Sequence, residues 1–214
     1  SNDCLSFDEP VIRETPENFA DGMRILEDII QGLSRGDTIK MAGGGITGVL
    51  DQNHEKLTRS PHKLAWVGKP LRKELERLIG ASVLLENDSA VVALGEAHYG
   101  AGKGKGIVMY ITVSTGVGGA RIVNGKIIEN KFGFEPGHQI IDIENNKSLE
   151  DLVSGTALEK REGKKAYEVI DPKIWDELAR VLAYGLYNTI LHWSPDVVVL
   201  GGSMITGNPA IDVE

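Results

Sequence analysis

The chain has 214 residues, 41% hydrophobic and 25% charged, with a formal net charge of −8. That length buries roughly 70 to 75 per cent of the extended surface, enough for one large or two small α/β lobes. The acidic balance argues against a broad nucleic-acid surface, no apolar run approaches a membrane span, and the single cysteine, Cys4, precludes an intrachain disulfide and fits a reducing cytosol.

In chain order, Ser1 to Pro10 reads as a strand hairpin. After Glu14-Thr15-Pro16, the residues Phe19, Met23, Leu26, Ile30 and Leu33 recur at helical spacing and predict a helix with one face on a sheet. Ile39 to Ala42 leads into Gly43-Gly44-Gly45, then into a loop from Asp51 to Trp66 whose His62 is expected to be solvated. Pro70-Leu71 opens a helix with Leu71, Leu75, Leu78 and Ile79 on its apolar face. The run Ser82 to Glu86 then meets Asn87-Asp88 and the small-residue stretch Ser89 to Glu96. A carboxylate at such a strand-to-helix corner lies where open α/β sheets form their ligand crevice. Asp88 is either a positioned base or a helix cap accepting from Ala90 or Val91.

Gly100 to Gly106, with Lys103 and Lys105, reads as a flexible connector. The strand Ile107 to Val113 empties into Ser114-Thr115-Gly116-Val117-Gly118-Gly119, where glycines let backbone amides approach a polyphosphate. Asn124-Gly125 between Ala120–Val123 and Lys126–Ile128 signals a hairpin. The glycine loop is therefore strand-to-strand, which excludes a Walker A loop and a Rossmann fingerprint, since both need a helix there. Phe134-Glu135-Pro136-Gly137-His138 and Leu149 to Leu158 follow. Taken singly, Glu135 and His138 are loop polar residues and Glu150 is an early-turn helix carboxylate. A long helix from Lys173 to Trp193 is expected to bury Trp175, Leu178, Leu182, Leu186 and Ile190, and Asp196 to Ser203 closes the pattern with Gly201-Gly202.

In this order the blocks resemble the ROK family of sugar kinases and sugar-responsive repressors, in the actin-like, hexokinase-type ATPase superfamily, from about Thr38 to Met204. The resemblance implies an α/β, RNase H-like fold of two lobes around a nucleotide and sugar cleft, with residues 1–86 a partial N-terminal lobe and 87–214 the C-terminal lobe. It implies Asp88 as catalytic base and Asn87, Glu135, His138 and Glu150 as sugar contacts. Thr115, Gly116, Gly118 and Gly119 match the second phosphate segment, and Gly201 and Gly202 the glycines beside the adenosine. The implied activity is ATP-dependent phosphorylation of a hexose, glucose or a related sugar, at the 6-hydroxyl, with Mg2+, in a cytoplasmic homodimer with no membrane or nucleic-acid partner. Polyphosphate is the alternative donor. Those side chains suit the chemistry: sugar hydroxyls donate and accept, and phosphoryl transfer needs positioning, charge neutralisation and a base.

The departures from the family are as informative. Its cysteine-rich zinc loop is replaced by Gln139 to Ser148, which holds no thiol, so no structural zinc is expected and His138 is left to sugar or to structure. Arg121 stands where the family continues with a small residue and is expected at the outer edge of the phosphate loop. No Asp-x-Gly-x-Thr phosphate turn precedes Asp37 and the family's C-terminal helices are unmatched, so the chain as it stands reads as a fragment, inactive alone. A sugar-sensing transcriptional regulator, disfavoured because no helix-turn-helix is seen, and a non-catalytic sugar-binding remnant are the alternatives.

Overall fold

Asn18 starts the first helix, α1 (Phe19–Ser34), because its side-chain oxygen accepts from the N–H groups of Ala20 and Asp21. The computed structural model to which this helix belongs describes residues 9–60, 63–128 and 133–213. Cys4, His62 and all but the last two residues of the expected opening hairpin lie outside the described residues. The chain divides into two units, Ser1–Asn87 and Asp88–Glu214.

In the first unit α1 is followed by β1 (Met41–Ile46), β2 (Val49–Leu50), β3 (Leu57–Arg59), α2 (Leu71–Ile79) and β4 (Ser82–Asn87). β1 pairs parallel with β4, and β2 antiparallel with β3. Gly43, Gly44 and Gly45 are strand residues, opposite Leu84, Leu85 and Glu86. The apolar face of α1 joins the strand side chains Leu57, Val83 and Leu85 in one cluster, as the periodicity suggests, but shares it with an aromatic ring that the periodicity does not show. The helix meets Trp66 and α2: the Phe19 ring stands edge-on to Trp66 at 5.2 Å, and a Cβ at Gly22 would collide with the indole. Met23, Leu57, Trp66, Leu71, Val83 and Leu85 form one buried cluster, while Leu33 is exposed. Gly80 closes α2 in the left-handed conformation.

The second unit runs α3 (Asp88–His98), β5 (Ile107–Val113), β6 (Val117–Val123), β7 (Lys126–Ile127), β8 (Ile140–Asp142), β9 (Lys147–Ser148), α4 (Leu149–Val153), α5 (Gly155–Glu162), α6 (Pro172–Trp193), β10 (Val197–Gly201) and α7 (Ser203–Thr206). The main sheet has the order β10-β5-β6-β7; β10 is parallel to β5 and the other pairs are antiparallel. Side chains of β5 alternate between two cores. Val108 and Tyr110 join Ala90, Ala93 and Ala97 of α3, whose small size lets the helix approach closely; Met109, Ile111 and Val113 join Leu149, Leu158, Leu178 and Leu182. Helices thus cover both faces. Asn124 and Gly125 both have positive φ, 50° and 72°, as a type I′ hairpin turn requires.

Three expectations change here. The connector after α3 is tied down: Ala101 N–H donates to Glu96 Oε2 at 3.0 Å, and Gly102, which is buried, donates to the Glu96 carbonyl. On α6 the buried line runs Leu178, Leu182, Gly185 and Thr189, while Leu186 is only partly buried and Ile190 is 40% exposed. A strict four-residue step drifts about 40° around the axis each time, so Ile190 leaves the core, and Gly185 makes the notch that admits Leu149, whose Cδ2 lies 2.4 Å from where a Cβ would stand. Arg121 is not at the phosphate loop. It lies four residues, about 13 Å, down the strand from Val117 and donates from Nε to the Trp193 carbonyl at 3.0 Å, a favourable place for a cation at the end of α6. Among the described residues no helix is long and apolar enough to cross a membrane.

Candidate functional site

The tip of the β5–β6 hairpin is tight: the Ser114 N–H donates to the Gly116 carbonyl at 2.8 Å, leaving Thr115 at the apex. Three separate segments hold it. Glu150 Oε2 accepts from Val117 N–H at 2.7 Å; Gly155 and Thr156, the first residues of α5, donate to the carbonyls of Ser114 and Thr115 at 2.7 and 3.3 Å; and Ser203 Oγ lies 3.1 Å from Ser114 Oγ. Beside the tip is a cavity of about 340 Å3 lined by Ser114, Thr115, Thr156, Lys165, Tyr167 and Ser203 among others. Lys165 donates to Glu159 at 2.9 Å, and that hydrogen bond holds its ammonium above the usual lysine range.

The glycines around the tip are required by close approach. At Gly116 a Cβ would stand 2.6 Å from Glu150 Oε2, and Gly202, at φ 93°, would place one 2.3 Å from the Val113 carbonyl. Gly201 abuts the Tyr110 hydroxyl, so β10 turns into α7 tightly against β5 and brings Ser203 to the tip. Gly118 and Gly119 lie inside β6, paired with Thr112 and Ile111, rather than in the turn itself. Gly118 makes room for Ser89 of α3, and Gly119 for Pro136.

Asp88 begins α3 with no residue between it and β4, and its Oδ1 accepts from the N–H of Ser89 at 2.8 Å. It is half-buried, and its neighbour Ser89 faces Gly118 of the hairpin. Asn87 ends β4 in the first unit, where its Nδ2 donates to the Gly48 carbonyl at 3.2 Å.

Glu135 precedes a single helical turn, Pro136–His138, and its Oε2 lies 4.0 Å from His138 Nδ1. Pro136 and Gly137 are buried, and a Cβ on Gly137 would come within 2.2 Å of the Val117 carbonyl. Val117 is therefore flanked twice: its N–H by Glu150 and its carbonyl by the turn that carries Glu135 and His138. The next segment closes on itself. Leu149 N–H donates to the Gln139 carbonyl at 2.9 Å, and the Asn145 side chain and backbone bind Asp142, holding its carboxyl below the usual range. The backbone and hydroxyl of Ser148 do the same for Asp151 in a capping box at the start of α4. Among the described residues no group of three or more His, Cys, Asp or Glu is placed to hold a metal ion.

Ser114, Thr156, Lys165 and Ser203 are cavity residues that the motifs do not single out. Ser154-Gly155 at a helix start was a readable signal for Thr156, since the Ser154 hydroxyl caps α5 by accepting from Ala157 N–H. Nothing local marks Lys165. The lysines of the connector, Lys103 and Lys105, are exposed and do not line the cavity.

The fold defines a class, a carbohydrate kinase scaffold of the actin-like ATPase type. Its solved neighbours include a ROK family glucokinase from Streptomyces griseus in complex with glucose and AMPPNP, 26% identical with a TM-score of 0.74, covering 88% of this chain and 73% of that one. The chain belongs to the ROK family, which it matches over residues 7–212. A glucokinase of Thermotoga maritima is 28% identical over 85% of this chain and 69% of its own length. The xylose repressor of Bacillus spizizenii is 25% identical over 78% of this chain, which spans about half, 49%, of the repressor.

Proposed function

We propose that the protein phosphorylates a hexose, glucose or a close relative, at its 6-hydroxyl with ATP as donor. The observation that carries this reading is the hairpin tip, gripped from one side by Glu150 and from the other by α5 and Ser203, next to a cavity of nucleotide-compatible size. A nucleotide fits the residues present: Ser114, Thr115, Thr156 and Ser203 offer hydroxyls to phosphate oxygens beside the cavity. Mg2+ takes most of its ligands from phosphate and water, so it needs no dedicated cluster of protein carboxylates. When bound, it neutralises charge on the phosphates being transferred.

The chain's own residues then have distinct tasks. Asp88 takes the proton of the attacking hydroxyl; its bond from Ser89 N–H fixes one oxygen and orients the carboxylate. Asn87, Glu135, His138 and Glu150 hold the sugar by its hydroxyls. The backbone at Thr115 and Gly116 supports the phosphates, with Gly118 and Gly119 setting the hairpin's approach to α3 and to Pro136. Gly201 and Gly202 shape the wall beside the adenosine. In this reading residues 1–86 are part of an N-terminal lobe and 87–214 the C-terminal lobe of a cytoplasmic homodimer. A sugar-responsive regulator is the second reading, favoured by the repressor relative.

A coupled assay of the full-length polypeptide over glucose, mannose, fructose and N-acetylhexosamines, with ATP and with polyphosphate, tests the proposal. ATP-dependent turnover of at least one hexose is expected. Sugar binding by calorimetry with no turnover from either donor would replace the kinase by the regulator, and turnover with polyphosphate alone would replace the donor.

A further inference from the structure

Gln139 follows His138 directly and makes contacts that neither the motif nor the chemistry above uses. Its Nε2 donates to the Pro136 carbonyl at 2.8 Å and lies 3.2 Å from both the Gly185 carbonyl and Thr189 Oγ1 of α6. Its Oε1 accepts from Asn188 Nδ2 at 3.2 Å, and its backbone carbonyl accepts from the N–H of Leu149, the residue before Glu150. One residue thus ties together the turn bearing Glu135 and His138, the start of α4 bearing Glu150, and the long helix. The amide group has two hydrogens and two acceptor lone pairs; here Nε2 has three acceptors within reach and Oε1 accepts once. Thr189 is buried and donates to the same Gly185 carbonyl at 2.8 Å, so the receiving side is itself fixed. Phe134, at the other end of the turn, stacks edge-on to Trp193 at 4.8 Å, and Arg121 holds the Trp193 carbonyl. The turn is therefore fastened to α6 at both ends, one end by an aromatic pair and the other by a directional amide.

We infer that Gln139 is a positioning residue for sugar recognition, fixing the Glu135–His138 turn and the Glu150 segment to one register of α6. The inference rests on the proposed sugar role of those three side chains. Gln139 touches no substrate. It acts by setting where its neighbours stand, and a loss of hydrogen-bonded register of this kind misplaces polar groups that must meet sugar hydroxyls together.

The test compares Gln139→Met, which keeps length and shape but no hydrogen bond, with Gln139→Glu, which keeps an acceptor for Asn188 but cannot donate to Pro136 and Gly185. Thr189→Val, which removes a single partner, serves as a milder variant. Amide exchange of the folded full-length proteins is expected to speed up by about ten-fold or more at His138 and Leu149 in both Gln139 variants, and less in Thr189→Val. Neither amide donates to the replaced side chain, so the change reports the fixing of the turn. In steady-state kinetics the KM for sugar should rise about ten-fold while the KM for ATP stays within about two-fold. Unchanged exchange in both Gln139 variants would overturn the inference. So would a loosened turn with unaltered sugar KM, or sugar and ATP affinities falling together, which mark a merely structural role. If the unmutated protein turns over no hexose, the kinase reading fails by itself, and exchange with sugar affinity by calorimetry still decides the role of Gln139.

Discussion

Truncating Glu150 separates the two halves of the site. Its Oε2 accepts from Val117 N–H at 2.7 Å, and that carboxylate stands over Gly116 so closely that no Cβ fits there. A hydrogen bond to a charged group contributes about 1.5 to 3 kcal/mol, equivalent to roughly ten- to a hundred-fold in binding. Glu150→Ala should weaken sugar binding by that factor, through the lost sugar contact and a slackened Val117. Nucleotide affinity should change by less than about three-fold, because Gly155, Thr156 and Ser203 still hold the tip at Ser114 and Thr115. Glu150→Gln keeps an oxygen for Val117 and loses only the charge, so its sugar affinity should fall between the other two. Calorimetry on the full-length polypeptide, titrating glucose and a non-hydrolysable ATP analogue in turn, measures both. Loss of the analogue with glucose retained would refute the assignment and make Glu150 a support of the phosphate tip.

Asp88→Asn retains the acceptor for Ser89 N–H and removes the base, so kcat should fall by about a hundred- to ten-thousand-fold with sugar affinity largely kept; near-normal turnover in a steady-state assay would reject the role. Gly137→Ala pushes a methyl group against the Val117 carbonyl, and overpacking of this kind costs about 1 to 3 kcal/mol, whereas Gly32→Ala, in an open position of α1, should stabilise by up to about 1 kcal/mol; thermal melts of the two should move in opposite directions. Asp151 has its carboxyl lowered by Ser148, so its contribution is present above the ordinary carboxylate pKa and is lost as pH falls through the lower folded value. Asp151→Ala should therefore melt below the parent at neutral pH, with the gap closing on acidification below about pH 4; a gap that persists to low pH would show that the charge is not responsible.

Local chemistry made some of this readable and long-range packing hid the rest. Asn124-Gly125 announced its turn because few other pairs tolerate positive φ at both positions. The boundary between β4 and α3 at Asn87 and Asp88 followed from an apolar run giving way to small residues. In contrast, Trp66 covering α1 depends on the indole finding Gly22 forty-four residues earlier, which periodicity does not encode. The burial of Gly185 and Thr189 in place of Leu186 and Ile190 depends on Leu149 entering the notch in α6. Arg121 was misplaced because proximity in sequence to the glycine loop says nothing about the direction a strand side chain takes. The lining residue Lys165 lies outside every motif and carries no pattern of its own.

The bond between Leu149 N–H and the Gln139 carbonyl spans a sequence separation of only ten, whereas that from Gln139 to Gly185 spans forty-six. The entropy lost in closing a flexible loop grows with the logarithm of its length, so the second closure is harder by on the order of 1 kcal/mol. Contacts that are short in sequence also form sooner on average. The small hairpin of β8 and β9, with Asn145 on Asp142 and Ser148 on Asp151, can therefore assemble as a self-contained knot of local bonds while α6 is still being synthesised. Its register against that helix is set afterwards, when Gln139 meets Gly185 and Thr189.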